Sequence, residues 1–121
     1  GCGSGILSFF AAQAGAARVE AVEAAQAMAK HATTLIAANG WSEVIRVHAK
    51  KVEEVELEEP VEVLISEPMG VLLLHERMIE SFIVARDRHL VPLGEGGKAF
   101  LPAQMMPSRG TIYLAPFCDI A

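Results

Sequence analysis

The sequence predicts an α/β fold built on a parallel sheet, and three observations lead there. The chain opens on a glycine-rich junction, Gly1-Cys2-Gly3-Ser4-Gly5, that runs straight into an apolar helical stretch. Short runs rich in β-branched residues then alternate with helical patterns, the order in which α/β sheets are assembled. The 52% hydrophobic content suits strands buried on both faces. With 121 residues the chain is one domain's worth and large enough to bury a core.

Taken in order, the glycines let the backbone turn sharply from strand into helix and approach a ligand closely. The first helix, Ile6 to Ala12, presents free amides at its N-terminus to a carboxylate or phosphate. Gly15 ends it. Arg18 to Glu23 reads as a short strand closing on an acid. An acid at that distance from the glycines can bind the two hydroxyls of a ribose. The plainer role for Glu23 is a cap or first-turn acid of the next helix. That helix runs from Ala25 to Ala38 and stops at Asn39-Gly40, its alanines favouring close packing on a sheet. His31 reads as a surface residue, and Trp41 opens a polar connection. Val44 to His48 is a third strand. Lys50 to Val55 follows, and its composition alone makes Glu53 a surface residue.

Val61 to Ile65 reads as a buried strand, and Pro68 takes the chain out of the sheet because it cannot donate to a ladder. Glu67 therefore falls at the C-terminal end of an interior strand, where open α/β sheets place their ligands. Gly70 permits a tight turn. An apolar loop, Met69, Val71, Leu72, Leu73 and Leu74, leads to Glu76 at the start of the next helical pattern. Two carboxylates on such a loop are costly unless something positive comes between them. A guanidinium fits, since it stays protonated and presents a planar fork of donors. The alternative is that Glu67 and Glu76 cap the next helix or pair with Arg77. Arg77 to His89 is a helix with Met78, Phe82, Ala85 and Leu90 on or near one face. Pro92 and Gly94 to Gly97 form an exposed turn, Lys98 to Pro102 a short strand, Pro107 to Gly110 an irregular segment, and Thr111 to Phe117 a last strand.

Fifteen acidic residues against 10 basic give a net charge of −5. This argues against sequence-independent nucleic-acid binding and is compatible with a basic protein substrate. The acidic run Glu53, Glu54, Glu56, Glu58, Glu59 and Glu62 reads first as solvated surface. No apolar run reaches the length of a membrane span, and no charged-then-apolar leader opens the chain. Cys2 and Cys118 do not make a disulfide framework, so a reducing compartment is expected, and no Cys/His spacing suggests a metal.

The run Ser66-Glu67-Pro68-Met69-Gly70, with Leu72, Glu76, Arg77, Met78, Glu80 and Ser81, resembles the double-glutamate loop of protein arginine methyltransferases. The Pro68-Met69 pair is closest to the coactivator-associated, histone-methylating branch. Gly1 to Gly5 resembles motif I of S-adenosylmethionine-dependent methyltransferases. The resemblance spans essentially the whole chain, with four motifs in order. It implies a Rossmann-like methyltransferase domain over residues 1–106 and, from the Leu-Ala-Pro-Phe run, the start of a substrate-binding β-barrel domain over residues 107–121. It implies S-adenosylmethionine as cofactor, bound by Gly1, Cys2 and Gly3, by Glu23 at the ribose, by the Val52 amide and Glu53 carboxylate at the adenine edge, and by Ser81. It gives Glu67 and Glu76 the catalytic role of holding an arginine.

The implied substrates are arginine-containing proteins such as histones, asymmetrically dimethylated, in nucleus and cytoplasm, with a homodimer in the complete protein. The family's strand before motif I and most of its barrel fall outside these 121 residues, so a fragment or truncated gene model is expected. Val71 stands where the family usually has a tyrosine, Leu74 and His75 replace an aromatic and a polar residue, and the stretch between about Leu93 and Met106 is extra. His75 reads as a bystander or a proton acceptor. A small-molecule methyltransferase using the same cofactor half, and a non-catalytic interaction module, are the competing readings.

Overall fold

The computed structural model describes residues 1–91 and 104–118. Its elements run α1 (Ile6–Gln13), β1 (Val19–Val22), α2 (Gln26–Ala38), β2 (Ile45–His48), a 3-10 turn (Val52–Glu54), β3 (Val63–Ile65), α3 (Met78–His89) and β4 (Gln104–Met106). The alternation read from the sequence is present, with boundaries shifted by a residue or two at element ends.

The core lies where α1 and α2 cover one face of β1 and β2. Ala12, Ala21, Ala32, Ile36 and Ile45 form its buried centre, with Phe9, Val19, Trp41, Val44 and Val47 packed around it. Three of the first-named residues are alanines, which lets helix backbones approach the sheet; Ala32 is fully buried. Trp41 is thus a core-edge residue as well as the start of a connection. Its amide donates to Ile36 O and its carbonyl accepts from Val44 and Ile45, which turns the chain from α2 into β2. Gly15 and Gly40 take positive φ at the two helix exits, as the stop signals require.

β1 and β2 pair in parallel, Val19 opposite Ile45 through Val22 opposite His48. β3 and β4 pair in parallel as a second two-stranded sheet, Val63 opposite Gln104 through Ile65 opposite Met106. Two expectations are corrected here. The strand read as buried is not: Val63 is 44% exposed and Leu64 and Ile65 are half-buried, because among the described residues β3 has a partner on one side only and faces an open cleft on the other. Its N-terminal part also leaves the ladder, Val61 pairing instead with Leu90 at the end of α3. β4 itself was not legible, since Gln-Met-Met carries no β-branched residue and no alternation.

Thr111 to Phe117 forms no strand among the described residues. Tyr113, Leu114 and Phe117 are 88–90% exposed, and β-propensity without a partner to bond the backbone does not make a strand. The turn expected at Gly94 to Gly97 and the strand at Lys98 to Pro102 lie outside the described residues. No helix among the described residues is long and apolar enough to cross a membrane.

Candidate cofactor and arginine site

The glycine loop is built by its backbone. Gly3 and Gly5 take φ of 55° and 91°, the left-handed region that side chains disfavour, and Gly5 caps α1 with its carbonyl on the Phe9 amide. No side chain caps α1, so its first amides stay available. A side chain at Gly3 would meet nothing within 4 Å, which leaves open space in front of the loop. Cys2 donates its amide to Val22 O at 2.7 Å and so ties the loop to the end of β1. Its thiol is half-buried, and burial, with the neighbouring Glu23 charge, pushes its pKa up.

Glu23 follows β1 directly and closes the loop. Its Oε2 accepts from the Gly3 amide at 2.8 Å and its Oε1 from the Ala25 amide at 2.9 Å. Partial burial works to raise its pKa, and the Ala25 and Gly3 amides outweigh that, so the carboxyl sits below its ordinary value. Glu23 is neither the N-cap of α2 nor a first-turn acid: its Ala25 contact meets the residue just before the helix, and its Gly3 contact ties it to the glycine loop. Each carboxylate oxygen has a second lone pair, so both remain able to accept a hydroxyl.

The second acid is placed by a different element. Val52 and Glu53 lie in the 3-10 turn, which packs against α3. Ser81 Oγ donates to Glu53 Oε1 at 2.9 Å, and Arg88 donates to the Glu53 carbonyl. The Glu53 carboxyl is held below its ordinary value by its own backbone amide first and by the Ser81 hydroxyl second. Ser81 and Glu53, named for separate roles, are thus one hydrogen-bonded unit. A cleft of about 640 Å³ brings Gly1, Cys2, Val52 and Ser81 together with Val22, Ser66 and Met78. Gly3, Glu23, Glu53, Glu67 and Glu76 do not line it. Met78 is a lining residue that the sequence reading took only as a helix face; its methyl lies 3.6 Å from where a Gly1 side chain would begin.

Glu67 and Glu76 flank an irregular loop and are both exposed. Neither carboxylate has a hydrogen-bonding or ionic partner among the described residues. No side chain caps α3, and Arg77 bonds Glu80 instead, at 2.8 and 3.1 Å, so the capping and Arg77-pairing alternatives are not observed. The loop is shaped by close approach. A Cβ on Gly70 would lie 2.8 Å from the Glu76 amide nitrogen and 3.0 Å from its Cγ, so only glycine lets Glu76 fold back against the arm that follows Glu67. The tight turn expected at Gly70 is present, the Leu73 amide donating to the Gly70 carbonyl at 2.9 Å, and positive φ falls not on Gly70 but on Leu72, Leu73 and Arg77, with φ of 51°, 64° and 57°. Leu73 packs on Gly110, while Val71 and Leu74 are 73% and 62% exposed. His75 is exposed beside them.

The donor and acceptor set fits an adenosyl amino acid. It offers a doubly anchored carboxylate for vicinal hydroxyls, a second carboxylate for an exocyclic amino group, and uncapped helix amides for a carboxylate. Among the described residues no cluster of ligating side chains could hold a metal ion.

Comparison with known proteins places this geometry. Residues 1–94 match the family model described as a methyltransferase domain. The chain is 57% identical over 120 residues to a protein from Oryza sativa subsp. indica named probable histone-arginine methyltransferase CARM1, covering 98% of this chain and 21% of that one. It is 50% identical over 121 residues to the histone-arginine methyltransferase CARMER of Culex quinquefasciatus, covering 100% of this chain and 18% of the relative. The chain therefore spans about a fifth of the length of the curated relatives it matches. Among solved structures, Arabidopsis thaliana protein arginine methyltransferase 10 superposes with a TM-score of 0.74 at 51% identity, over 78% of this chain and 27% of that one. The Trypanosoma brucei PRMT1 enzyme-prozyme heterotetramer with AdoHcy superposes with a TM-score of 0.77 at 40% identity, over 87% and 30%.

Proposed function

The chain belongs to the methyltransferase-domain family, among its protein arginine methyltransferases of the CARM1-like branch, with a Rossmann-like fold; from that membership we propose that the protein methylates guanidinium nitrogens of arginine in proteins, with S-adenosylmethionine as donor. When bound, S-adenosylmethionine supplies a methyl group made electrophilic by its sulfonium.

The residues divide the work. Glu23 takes the ribose hydroxyls on the lone pairs its two amide bonds leave free. Glu53, pre-oriented by Ser81, accepts from the adenine amino group, and the Val52 amide faces the ring edge. Gly1, Cys2 and Gly3 supply the close backbone, and the start of α1 meets the amino-acid end. Glu67 and Glu76 hold the substrate guanidinium. Two carboxylates on its far side draw its positive charge toward them and leave lone-pair density on the nitrogen that attacks. One of them then accepts the proton that the methylated nitrogen releases.

The observation that supports this reading is that Glu67 and Glu76, at the two ends of one loop, have no partner among the described residues, and that Gly70 lets Glu76 fold back against the arm that follows Glu67. Both carboxylates are exposed, so water satisfies them and the cost expected for carboxylates on an apolar loop is not incurred; their acceptors are free for the paired donors of a guanidinium. The relatives are named histone-arginine methyltransferases, which supports histone arginines as substrates; asymmetric dimethylation and work in nucleus and cytoplasm belong to the same proposal. On the same reading residues 1–106 belong to the cofactor half, residues 107–121 are the entry to a substrate-binding barrel, and the working form is a dimer.

The test is Glu76→Gln. Peptide-arginine methylation is expected to fall by about 10²-fold or more, the equivalent of a few kcal/mol. S-adenosylhomocysteine affinity is expected to stay put. Methylation at the wild-type rate would overturn the assignment of the glutamate pair.

A further inference from the structure

Glu20 is out of place in this sheet. It lies in β1 between Val19 and Ala21, and its side chain is only 9% exposed. A carboxylate taken that far from water needs compensation. It has two partners: His48 Nε2 at 2.6 Å and Arg18 Nε at 3.4 Å. Arg18 also reaches Glu59 at 3.1 Å.

His48 is the last residue of β2, and it works in two directions. Its side chain is anchored by Glu20. Its carbonyl accepts from the backbone amide of Glu23 at 3.0 Å, and the next carbonyl, of Ala49, accepts from Gln26 Nε2 at 2.8 Å. The strand end that carries Glu23 is thus fastened to the strand end that carries His48, and the Glu20–His48 pair is the only side-chain bond across the two strands among the described residues.

We propose that Glu20 and His48 are positioning residues for Glu23: by locking the C-terminal ends of β1 and β2 together, they fix the main chain from which the ribose-binding carboxylate projects. The inference rests on the proposed cofactor role of Glu23. Both residues act through the main chain that carries Glu23. Their effect is confined to cofactor affinity and leaves Glu67 and Glu76 where they are.

The test is calorimetric titration of the 121-residue chain with S-adenosylhomocysteine, run beside Glu23→Ala and beside thermal unfolding. His48→Ala is expected to weaken binding about 10-fold, the loss of one charge-assisted hydrogen bond. His48→Gln, which keeps a donor for the Glu20 carboxylate, is expected to bind within about 2-fold of wild type. The Glu20→Ala/His48→Ala pair is expected to bind no more weakly than the worse single variant, since both remove one contact. A merely structural role would lower the unfolding midpoint and leave the affinity of the folded chain unmoved.

Unchanged affinity in His48→Ala, with affinity lost in Glu23→Ala, overturns the positioning role and leaves the functional reading standing. Unchanged affinity in Glu23→Ala, or no binding by the wild-type chain, overturns the functional reading and this role with it. Should His48→Ala fail to fold, Glu20→Ala serves in its place: weakened binding supports the role, and wild-type binding overturns it.

Discussion

The two halves of the site are held by opposite means. Around Glu23 every acceptor has a donor: its carboxylate is bonded to Gly3 and Ala25, and the loop is tied by Cys2 to the end of β1. Around Glu67 and Glu76 the carboxylates are exposed, and the loop is shaped by backbone turns and one close contact at Gly70. The first region is organised before any ligand arrives. The second is an arrangement of charge that a cation completes. Preorganised sites give affinity, because the ordering cost is met in folding; open ones give selectivity for the group that closes them.

That contrast can be broken at several points. Glu23→Ala should have the largest effect on the ordered side, weakening S-adenosylhomocysteine binding by about 10- to 100-fold in a calorimetric titration, the scale of one or two hydrogen bonds to a charged acceptor. Equal loss from Glu67→Gln would mean that the two sides are not separable. Gly70→Ala comes next. It sets a methyl 2.8 Å from the Glu76 amide, which cannot yield without moving the backbone. Peptide-arginine methylation should drop by about 10-fold while cofactor affinity holds.

Much of this was legible in the residues. Gly1 to Gly5 and Glu23 announce a loop-and-acid pair by spacing, and Ala25 to Ala38 announces its helix by composition and its stop by Asn39-Gly40. What escaped was set by pairing at long range. The Gln104 to Met106 strand exists because β3 offers it an edge, and nothing in three unbranched residues says so. Thr111 to Phe117 fails for the converse reason. The second role of Gly70 was hidden because glycine's two uses, a turn and a close approach, look identical in a sequence; the close approach depends on Glu76, which arrives only after the loop has closed. The Glu20–His48 pair was hidden because each residue sits in a strand pattern that the other does not enter.

Smaller effects sharpen the picture. Leu72, 68% exposed with φ of 51°, carries backbone strain and little packing. Leu72→Gly should raise the denaturation midpoint by a gain of at most about 1 kcal/mol, less the entropy glycine adds to the unfolded chain. Acid should act late on the ordered side. Since the folded Glu23 carboxyl lies below its ordinary value of 4.5, its contribution is fully present above that pH and is lost as pH falls through the lowered value. Cofactor affinity measured from neutrality downward should therefore be flat, and fall only below about pH 4.5.

The contact of Leu73 with Gly110 has a consequence for how sequences of this kind can change. A side chain begun at residue 110 would lie 2.9 Å from the tip of Leu73, so bulk at either position is available only if the other gives it up. The two sites share one volume. Among relatives that keep this contact, the substitutions allowed at 73 should depend on the residue at 110, and a pairwise library at the two positions should recover large–small combinations and exclude large–large ones.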